Sequence, residues 1–447
     1  EALRCFQRMQ LEALFPDACI LKACGISRTT HKGQRIHVGI MSRNLLETDI
    51  VLGNALIDMY GKCGNLIKAQ KVFDKIKMPN VISWTTLITG YVENGHNDSA
   101  IHYFEQMQLK GVSPNVVTFV CILKACSGRG ALYEGKQVHA LYVESVSETD
   151  MNTSIGNTLI DMYFKCGSFE DAYNIFRQLK NRDLVTWNTL IGGYAQQRQL
   201  DKVLNCFQQM QNEGLSPNLT TFTWIVKACG NTRAIDKGKY IHDEILSMGL
   251  IEKNIILGTA LVDMYAKLGD VMEAHKVFDE LQLQDLECWN AIISGYGQCG
   301  EHDMVVSLFN KLIEKGMVPN QVTFNIVLNA CSHSGLLDTG QLYFHIMSSF
   351  DGLMPTLEHY TCMVDLFARA GFFDKALTII HKMPKIPDYF PVWTALLGAC
   401  QKWGDLKLGR QVFEHVVELD EMHGSAYVCM GNIYAAASMQ EDVERPE

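Results

Sequence analysis

The chain has 447 residues, 47% of them hydrophobic, with a formal net charge of −10 and 15 cysteines but no C-x-x-C pair. This length exceeds what one ordinary core needs, so we expect several domains or a repeat array. The acidic balance predicts weak non-specific affinity for nucleic acid, the apolar runs are too short to span a membrane, and the diluted cysteines argue against a disulfide framework.

The chain repeats itself with a super-period of about 102 residues. Trp84, Trp187 and Trp289 recur in ISWTTLITGY, VTWNTLIGGY and ECWNAIISGY. Each super-period holds a standard unit ending in Gly-x-x-Pro-Asn, a long unit with Lys-Ala-Cys, and a short unit with Asp-Met-Tyr. In chain order the units are 1–17 and 18–49, both partial, then 50–80, 81–115, 116–152, 153–183, 184–218, 219–254, 255–285, 286–320, 321–356 and 357–388.

Each unit is predicted to be a pair of helices. Apolar residues recur at spacings of three and four, as in Trp84, Leu87, Ile88 and Tyr91, and Asn94-Gly95 then marks a turn. A hairpin this short cannot bury its own apolar face, so neighbouring units must stack to form the core. We therefore predict an all-α fold, a right-handed superhelical solenoid of helix-turn-helix hairpins whose concave face suits an extended ligand.

The strings NALIDMYGKCG (54–64) and NTLIDMYFKCG (157–167) resemble the pentatricopeptide repeat family, in its subfamily of alternating standard, long and short repeats. The segment 389–447, with VWTALLGAC, is similar to the E-type tail of plant organelle RNA editing factors, and we expect that tail to be truncated. The resemblance implies a single-stranded RNA-binding protein of the mitochondrion or chloroplast that selects sites for cytidine-to-uridine editing. It also implies that the tail has a deaminase domain or editing cofactor proteins as partners. It implies no small-molecule or metal cofactor.

Within this family one base faces one unit, and two residues specify it: the fifth residue, on the first helix, and the last residue, before the next unit. Amide, hydroxyl and carboxylate groups at these positions could discriminate base edges. The implied pairs are Asn54 with Asn80, Thr85 with Asn115, Asn157 with Asp183, Asn188 with Asn218, Thr259 with Asp285, Asn290 with Asn320, and Thr361 with Asp388. The family's pairing rules imply pyrimidine, A, any, U, pyrimidine, any, G, pyrimidine, any, G, with the edited cytidine four nucleotides beyond the last base.

Two further positions are implied to face RNA. The second residue of a unit would pack an aliphatic group on the base, and the thirteenth residue of a short unit would place a cation near phosphate. The second-position residues are Val51, Ile82, Val185 and Ile256, and the thirteenth-position residues are Lys62, Lys165, Lys267 and Arg369. The last-position residues are equally well explained as helix N-caps, and the cations as solvated groups or partners of a helix C-terminus.

The sequence predicts no enzyme. His242 and Glu244 form the H-x-E half of a zinc deaminase signature, but no P-C-x-x-C follows to complete the metal site. Two other functional interpretations stay open. One is an RNA processing, splicing or stability factor that acts by occupying its transcript, and the other is a helical scaffold that binds proteins.

Overall fold

The computed structural model describes residues 18–42, 46, 49–145, 151–250, 254–350, 352–383, 390–420 and 424–443, with side chains to residue 437. Over these ranges the chain forms helices joined by turns, and no strand is present. The first-helix positions of the repeats are occupied by α1 (Ala18–Ile26), α3 (Ile50–Lys62), α5 (Val81–Glu93), α7 (Val116–Arg129), α9 (Thr153–Lys165), α11 (Leu184–Gln196), α13 (Leu219–Thr232), α15 (Ile255–Leu268), α17 (Leu286–Gln298), α19 (Gln321–Ser334) and α21 (Leu357–Arg369).

The second-helix positions alternate with these along the chain. They are occupied by α2 (Thr30–Ser42), α4 (Leu66–Phe73), α6 (Asn97–Leu109), α8 (Leu132–Ser145), α10 (Phe169–Gln178), α12 (Leu200–Asn212), α14 (Ile235–Ser247), α16 (Val271–Glu280), α18 (His302–Glu314), α20 (Leu337–Ser349) and α22 (Phe373–Lys382). Three more helices follow: α23 (Phe390–Trp403), α24 (Leu406–Leu419) and α25 (Gly424–Val443).

The helices form two compact bodies, an N-terminal body up to Trp224 and a C-terminal body from Ile225. In the N-terminal body α3, α5, α7, α9 and α11 pack successively on one another, and each also contacts its own second helix or the one beside it. In the C-terminal body α15, α17, α19, α21 and α23 form the same kind of row. The all-α solenoid of helical hairpins expected from the sequence is confirmed.

The turn inside a hairpin needs a backbone that most residues avoid. Gly95, between α5 and α6, has φ +77°, in the left-handed region where glycine has no Cβ to clash. A second glycine is needed for close packing, because a Cβ on Gly193 of α11 would overlap the ring of Phe164 on α9. Gly95 therefore allows the sharp turn within a hairpin, and Gly193 allows close packing on the preceding hairpin.

The fourth-position aromatic residues form the contacts between units. Trp84, Trp187 and Trp289 are at most 5% exposed, and each meets the edge of a Phe from the preceding short unit. The ring centroids of Phe176 and Trp187 are 4.8 Å apart, a distance typical of favourable aromatic pairs. These rings therefore belong to the core between units.

The recurring cysteines and histidines also belong to the packing. Cys126 is fully buried, and burial raises the pKa of its thiol to about 12. His242 Nδ1 lies 2.8 Å from the Tyr265 hydroxyl, so the first half of the apparent zinc signature is engaged in a helix contact. Within the described ranges no group of three or more His, Cys, Asp or Glu side chains is placed to hold a metal ion. Over the same ranges, no helix is long and apolar enough to cross a bilayer.

Candidate nucleic-acid interface

One groove in the N-terminal body collects the predicted base-reading residues of two consecutive units. It has a volume of about 740 Å³ and lies along the first helices α9, α11 and the start of α13. Its lining includes Asn157 with Asp183, Asn188 with Asn218, and Val185 between them. The structure thus brings together fifth, last and second positions that are up to 61 residues apart in sequence, since 218 − 157 = 61.

A groove of similar character lies within the C-terminal body. Its volume is about 920 Å³, and Thr361 lines it together with Gln298, Asn325, Asn329 and His333. Asn325 is the fifth residue of the long unit 321–356, a position the sequence left without a base preference. The partner predicted for Thr361, Asp388, lies outside the described residues.

The described last-position residues are all N-caps of the helix that follows. Asn80 Oδ1, for example, accepts hydrogen bonds from the backbone N–H groups of Ile82 and Ser83, both at 3.0 Å. The Oδ1 atoms of Asn115, Asp183, Asn218, Asp285 and Asn320 likewise accept from the backbone N–H three residues later, in the first turn of the helix, at 2.8 to 3.0 Å. Capping is therefore real, and it fixes the side chain so that Nδ2 of Asn or Oδ2 of Asp is the remaining polar atom.

Asp183 remains a carboxylate in this setting. Burial by itself raises its pKa, but hydrogen bonds from the Thr186 N–H and hydroxyl and from Asn157 outweigh that effect, so the pKa lies below its ordinary value. At neutral pH the position therefore offers only acceptors, whereas Asn218 in the next unit offers a donor as well.

The fifth-position side chains divide into two classes. Those of the described short units, Asn54, Asn157, Thr259 and Thr361, are partly exposed, and Thr259 Oγ1 lies 3.4 Å from Asp285 Oδ1 of its own pair. Those of the standard units, Thr85, Asn188 and Asn290, are only 7–8% exposed.

Contacts with the following long unit explain the burial in the standard units. The Thr221 hydroxyl donates to Asn188 Oδ1 at 2.7 Å, and Asn188 Nδ2 donates to Asn218 Oδ1 at 3.2 Å. The hydroxyls of Thr85 and Thr118 lie 2.6 Å apart in the same arrangement. The third residue of two long units, Thr118 and Thr221, thus covers the fifth residue of the preceding standard unit, which the sequence pattern did not reveal.

Three fifth-position amides carry an unsatisfied atom. The Oδ1 atoms of Asn54, Asn157 and Asn290 are buried and have no hydrogen-bond partner among the described residues. Leaving a buried acceptor unpaired costs about 1–3 kcal/mol, a cost that an aliphatic residue would avoid. Packing alone therefore does not account for asparagine at these positions.

The second-position aliphatic residues stand out from the surface. Val51, Ile82, Val185 and Ile256 are 55–64% exposed. Val117 and Val322, the second residues of two long units, are also 56% exposed and were missed in the sequence, although their position in the unit could have identified them. Exposed aliphatic groups at a constant place in successive units are typical of a binding surface.

The thirteenth-position cations are all ion-paired. Each meets the aspartate four residues earlier on its own helix, which is the Asp of the Asp-Met-Tyr motif in three units and of Asp-Leu-Phe in the unit 357–388. The pairs are Lys62–Asp58 at 2.8 Å, Lys165–Asp161 at 2.8 Å, Lys267–Asp263 at 2.6 Å and Arg369–Asp365 at 2.7 Å. The i,i+4 spacing could have predicted these pairs from sequence.

Comparisons with known proteins agree with this architecture. The profile described as "PPR repeat family" matches residues 79–128, 182–231 and 284–333, and that of the "PPR repeat" matches 54–80, 157–184, 259–286, 322–351 and 358–386. Similar proteins of Arabidopsis thaliana include the pentatricopeptide repeat-containing protein At4g38010, 36% identical over 429 residues, covering 95% of this chain and 75% of that protein. Another is the mitochondrial pentatricopeptide repeat-containing protein At3g26782, 35% identical over 458 residues, covering 100% of this chain and 69% of that protein.

The chain is shorter than these relatives. It spans 52% of the chloroplastic pentatricopeptide repeat-containing protein At1g11290, to which it is 37% identical over 424 residues and 95% of its own length. Among solved structures, the pentatricopeptide repeat protein PPR10 in complex with an 18-nt psaJ RNA element superposes with a TM-score of 0.65 at 20% identity, over 88% of this chain and 58% of that one. This last likeness concerns the fold.

Proposed function

Because this chain belongs to the pentatricopeptide repeat family, we propose that it binds single-stranded RNA of a defined sequence and selects sites for cytidine-to-uridine editing in organelle transcripts. The observation that carries the RNA-binding part is the groove in which Asn157, Asp183, Val185, Asn188 and Asn218 lie together. Two polar pairs and an exposed aliphatic group in one groove provide what an unstacked base needs: hydrogen bonds on its edge and packing on its face.

The pair Asn157 and Asp183 suits uracil. A carboxylate accepts only, so it can take the uracil N3–H, while an amide can both donate to and accept from the neighbouring base atoms. Guanine and cytosine would place different groups against these atoms and leave one buried polar group unpaired, which is the usual source of discrimination. The half-exposed pairs of the short units are expected to contribute more selectivity than the nearly buried pairs of the standard units.

The substitution Asn157→Thr tests this assignment while Asp183 is retained. By the family's pairing rules, preference at that nucleotide should move from U toward G, by about tenfold in the ratio of the two affinities, which corresponds to ~1.4 kcal/mol. The measurement is binding of the whole chain to two RNAs that differ only at this base. Asn174→Thr, on the second helix α10 of the same unit, is the matched control and should leave the ratio unchanged. A U-to-G ratio in Asn157→Thr equal to that of the original chain would sink the assignment.

The editing role rests on the similarity of residues 389–447 to an E-type tail. In the proposal the tail engages a deaminase domain or editing cofactor proteins supplied from outside this chain, and α25 exposes Tyr427 and Val428, at 48% and 63%, on its surface. The names of the relatives At3g26782 and At1g11290 place them in mitochondria and chloroplasts, which supports an organelle for this chain.

Organelle RNA from plants with and without the gene tests the editing role. One cytidine, four nucleotides beyond the base facing the unit 357–388, should be unedited when the gene is missing. If every cytidine is edited as before while one transcript changes in abundance or processing, the chain acts by occupying its RNA instead.

A further inference from the structure

The ninth residues of three consecutive units line the same groove as the fifth residues, and their charges differ. In the N-terminal body the groove is lined by Lys124 from the long unit, Asp161 from the short unit and Gly192 from the standard unit. Lysine recurs at the equivalent position of two other long units as Lys22 and Lys227, at intervals of about 102 residues, and the fourth long unit has Asn329 there. The sequence thus offers one cation in each of three triplets, at a position that the thirteenth-residue prediction did not consider.

Lys124 carries a charge that the protein does not compensate. Its side chain is exposed, and among the described residues neither Lys22 nor Lys124 has a carboxylate at ion-pair distance. The thirteenth-position cation of the same groove differs, because Lys165 Nζ is 2.8 Å from Asp161 Oδ2. Asp161 and Lys165 cancel, which leaves Lys124 as the cation of this lining that forms no ion pair, in the same groove as the Asp183 carboxylate.

The ion-paired side chains of the short units also contact the first helix of the preceding long unit. The Ser332 hydroxyl donates to Asp365 Oδ2 at 2.6 Å. Where the long unit has glycine in place of that serine, the cation's stem lies across the helix instead: Lys62 Cδ is 3.3 Å from the place a Cβ on Gly25 would occupy. The short-unit cations are therefore held between units, whereas Lys124 can extend into the groove.

The unit that carries Lys124 has no means of reading a base by hydrogen bonds at its fifth position, which is Val120. A valine there gives no polar contact to a base edge, and Lys124 lies one helical turn further along the same face. The unit thus presents a cation but no fifth-position side chain that could form a hydrogen bond with a base.

We infer that long units with such a lysine bind the ribose-phosphate backbone, with Lys124 contacting a phosphodiester and Lys22 as its equivalent in the preceding triplet. This inference rests on the proposed RNA binding and assigns a separate role within it. An ammonium group on a flexible stem suits phosphate, and a cation acts over roughly 8–10 Å at physiological salt, so Lys124 can attract a nearby phosphate although the chain as a whole carries a charge of −10.

The test uses Lys124→Gln in the whole chain, with the predicted RNA and a version in which the coded bases are exchanged, over a series of salt concentrations. Lys124→Gln should weaken binding to both RNAs by the same factor, several-fold at low salt, and reduce the slope of log affinity against log salt by about 0.7. Lys124→Arg keeps the positive charge and should retain both the affinity and the salt slope of the original chain. Lys136→Gln, on α8 of the same unit, makes the same change of charge and should leave affinity and slope unchanged.

A slope in Lys124→Gln equal to that of the original chain would overturn the inference, and so would a loss confined to one of the two RNAs. The proposed function fails differently: the original chain would then bind both RNAs equally well, or neither. Binding to neither RNA would overturn both proposals. If the original chain prefers the predicted RNA but Lys124→Gln changes neither affinity nor salt slope, only this inference is overturned. Thermal melting of each variant establishes that the compared chains are folded.

Discussion

At the scale of single residues, capping and base recognition use different atoms of one side chain. The Oδ1 of Asp183 accepts from the Thr186 N–H at 2.8 Å, and Oδ2 is the carboxylate oxygen that capping does not use. Replacing aspartate by asparagine would keep the cap and convert that remaining atom from an acceptor to a donor. The two interpretations of the last position, which the sequence could not separate, can therefore be separated by mutation.

Asp183→Asn and Asp183→Ala form the informative pair of variants. Asp183→Ala should lower the free energy of unfolding by about 1 kcal/mol because the cap is lost, while Asp183→Asn should lower it by only a few tenths. In Asp183→Asn the main change should be in RNA preference, from U alone to either pyrimidine. Chemical denaturation and binding to RNAs with U or C at that base provide the two measurements. An unchanged U-to-C ratio in Asp183→Asn would mean that capping is the sole role of this residue.

At the scale of elements, a repeated His–Tyr contact joins long units to short units. His37, His139 and His242, on the second helix of a long unit, each place Nδ1 2.8–2.9 Å from a tyrosine hydroxyl of the next first helix. Burial lowers the pKa of all three histidines, because the charged imidazolium is poorly solvated there. The fourth long unit has Phe344 at the equivalent position, and Phe367 replaces the tyrosine of the short unit, so the chain itself contains an apolar version of the contact.

Stability should consequently fall as the pH drops below about 6.5. A histidine whose folded pKa is lowered stabilises the fold fully above its ordinary value of about 6.5 and loses that contribution as the pH falls below it, since the unfolded chain then binds more protons. The melting temperature should drop as the pH falls below this value, and it should drop less in a variant carrying His37→Phe, His139→Phe and His242→Phe. Equal drops in the two proteins, measured by thermal melting, would show that these histidines are not responsible.

At the scale of the whole molecule, stability should come from many similar contacts between adjacent units. In such arrays the free energy of folding is close to a sum of unit and nearest-neighbour terms. A ligand that contacts several consecutive units strengthens the folded state of all of them at once by mass action. RNA binding and thermal stability are therefore expected to be coupled, in proportion to how well the RNA fits.

The predicted RNA should raise the melting temperature more than the base-exchanged RNA at the same concentration. Free RNA at one hundred times its dissociation constant would stabilise the fold by about 2.7 kcal/mol, and the exchanged RNA by less because its dissociation constant is larger. Differential scanning fluorimetry on the whole chain measures both shifts. Identical shifts would contradict sequence-specific recognition while leaving non-specific binding in place.

The sequence by itself determined the repeating units, the helical hairpins and the aromatic core. These features follow from periodicities within a few turns of helix, and residues such as Trp187 and Gly95 signal them locally. The N-caps could also be anticipated, because an Asn or Asp before an apolar helix has a short-range partner.

Only the tertiary structure decided which polar side chains remain accessible. Asn188 is nearly buried because Thr221, 33 residues later in the chain, covers it, whereas Asn157 stays partly exposed. The cation of Lys165 is held by its own helix and that of Lys124 is not, although both are lysines near one groove. Periodicity fixes the face on which a residue lies, but exposure and free charge depend on distances to neighbouring units, which arise only when the helices pack.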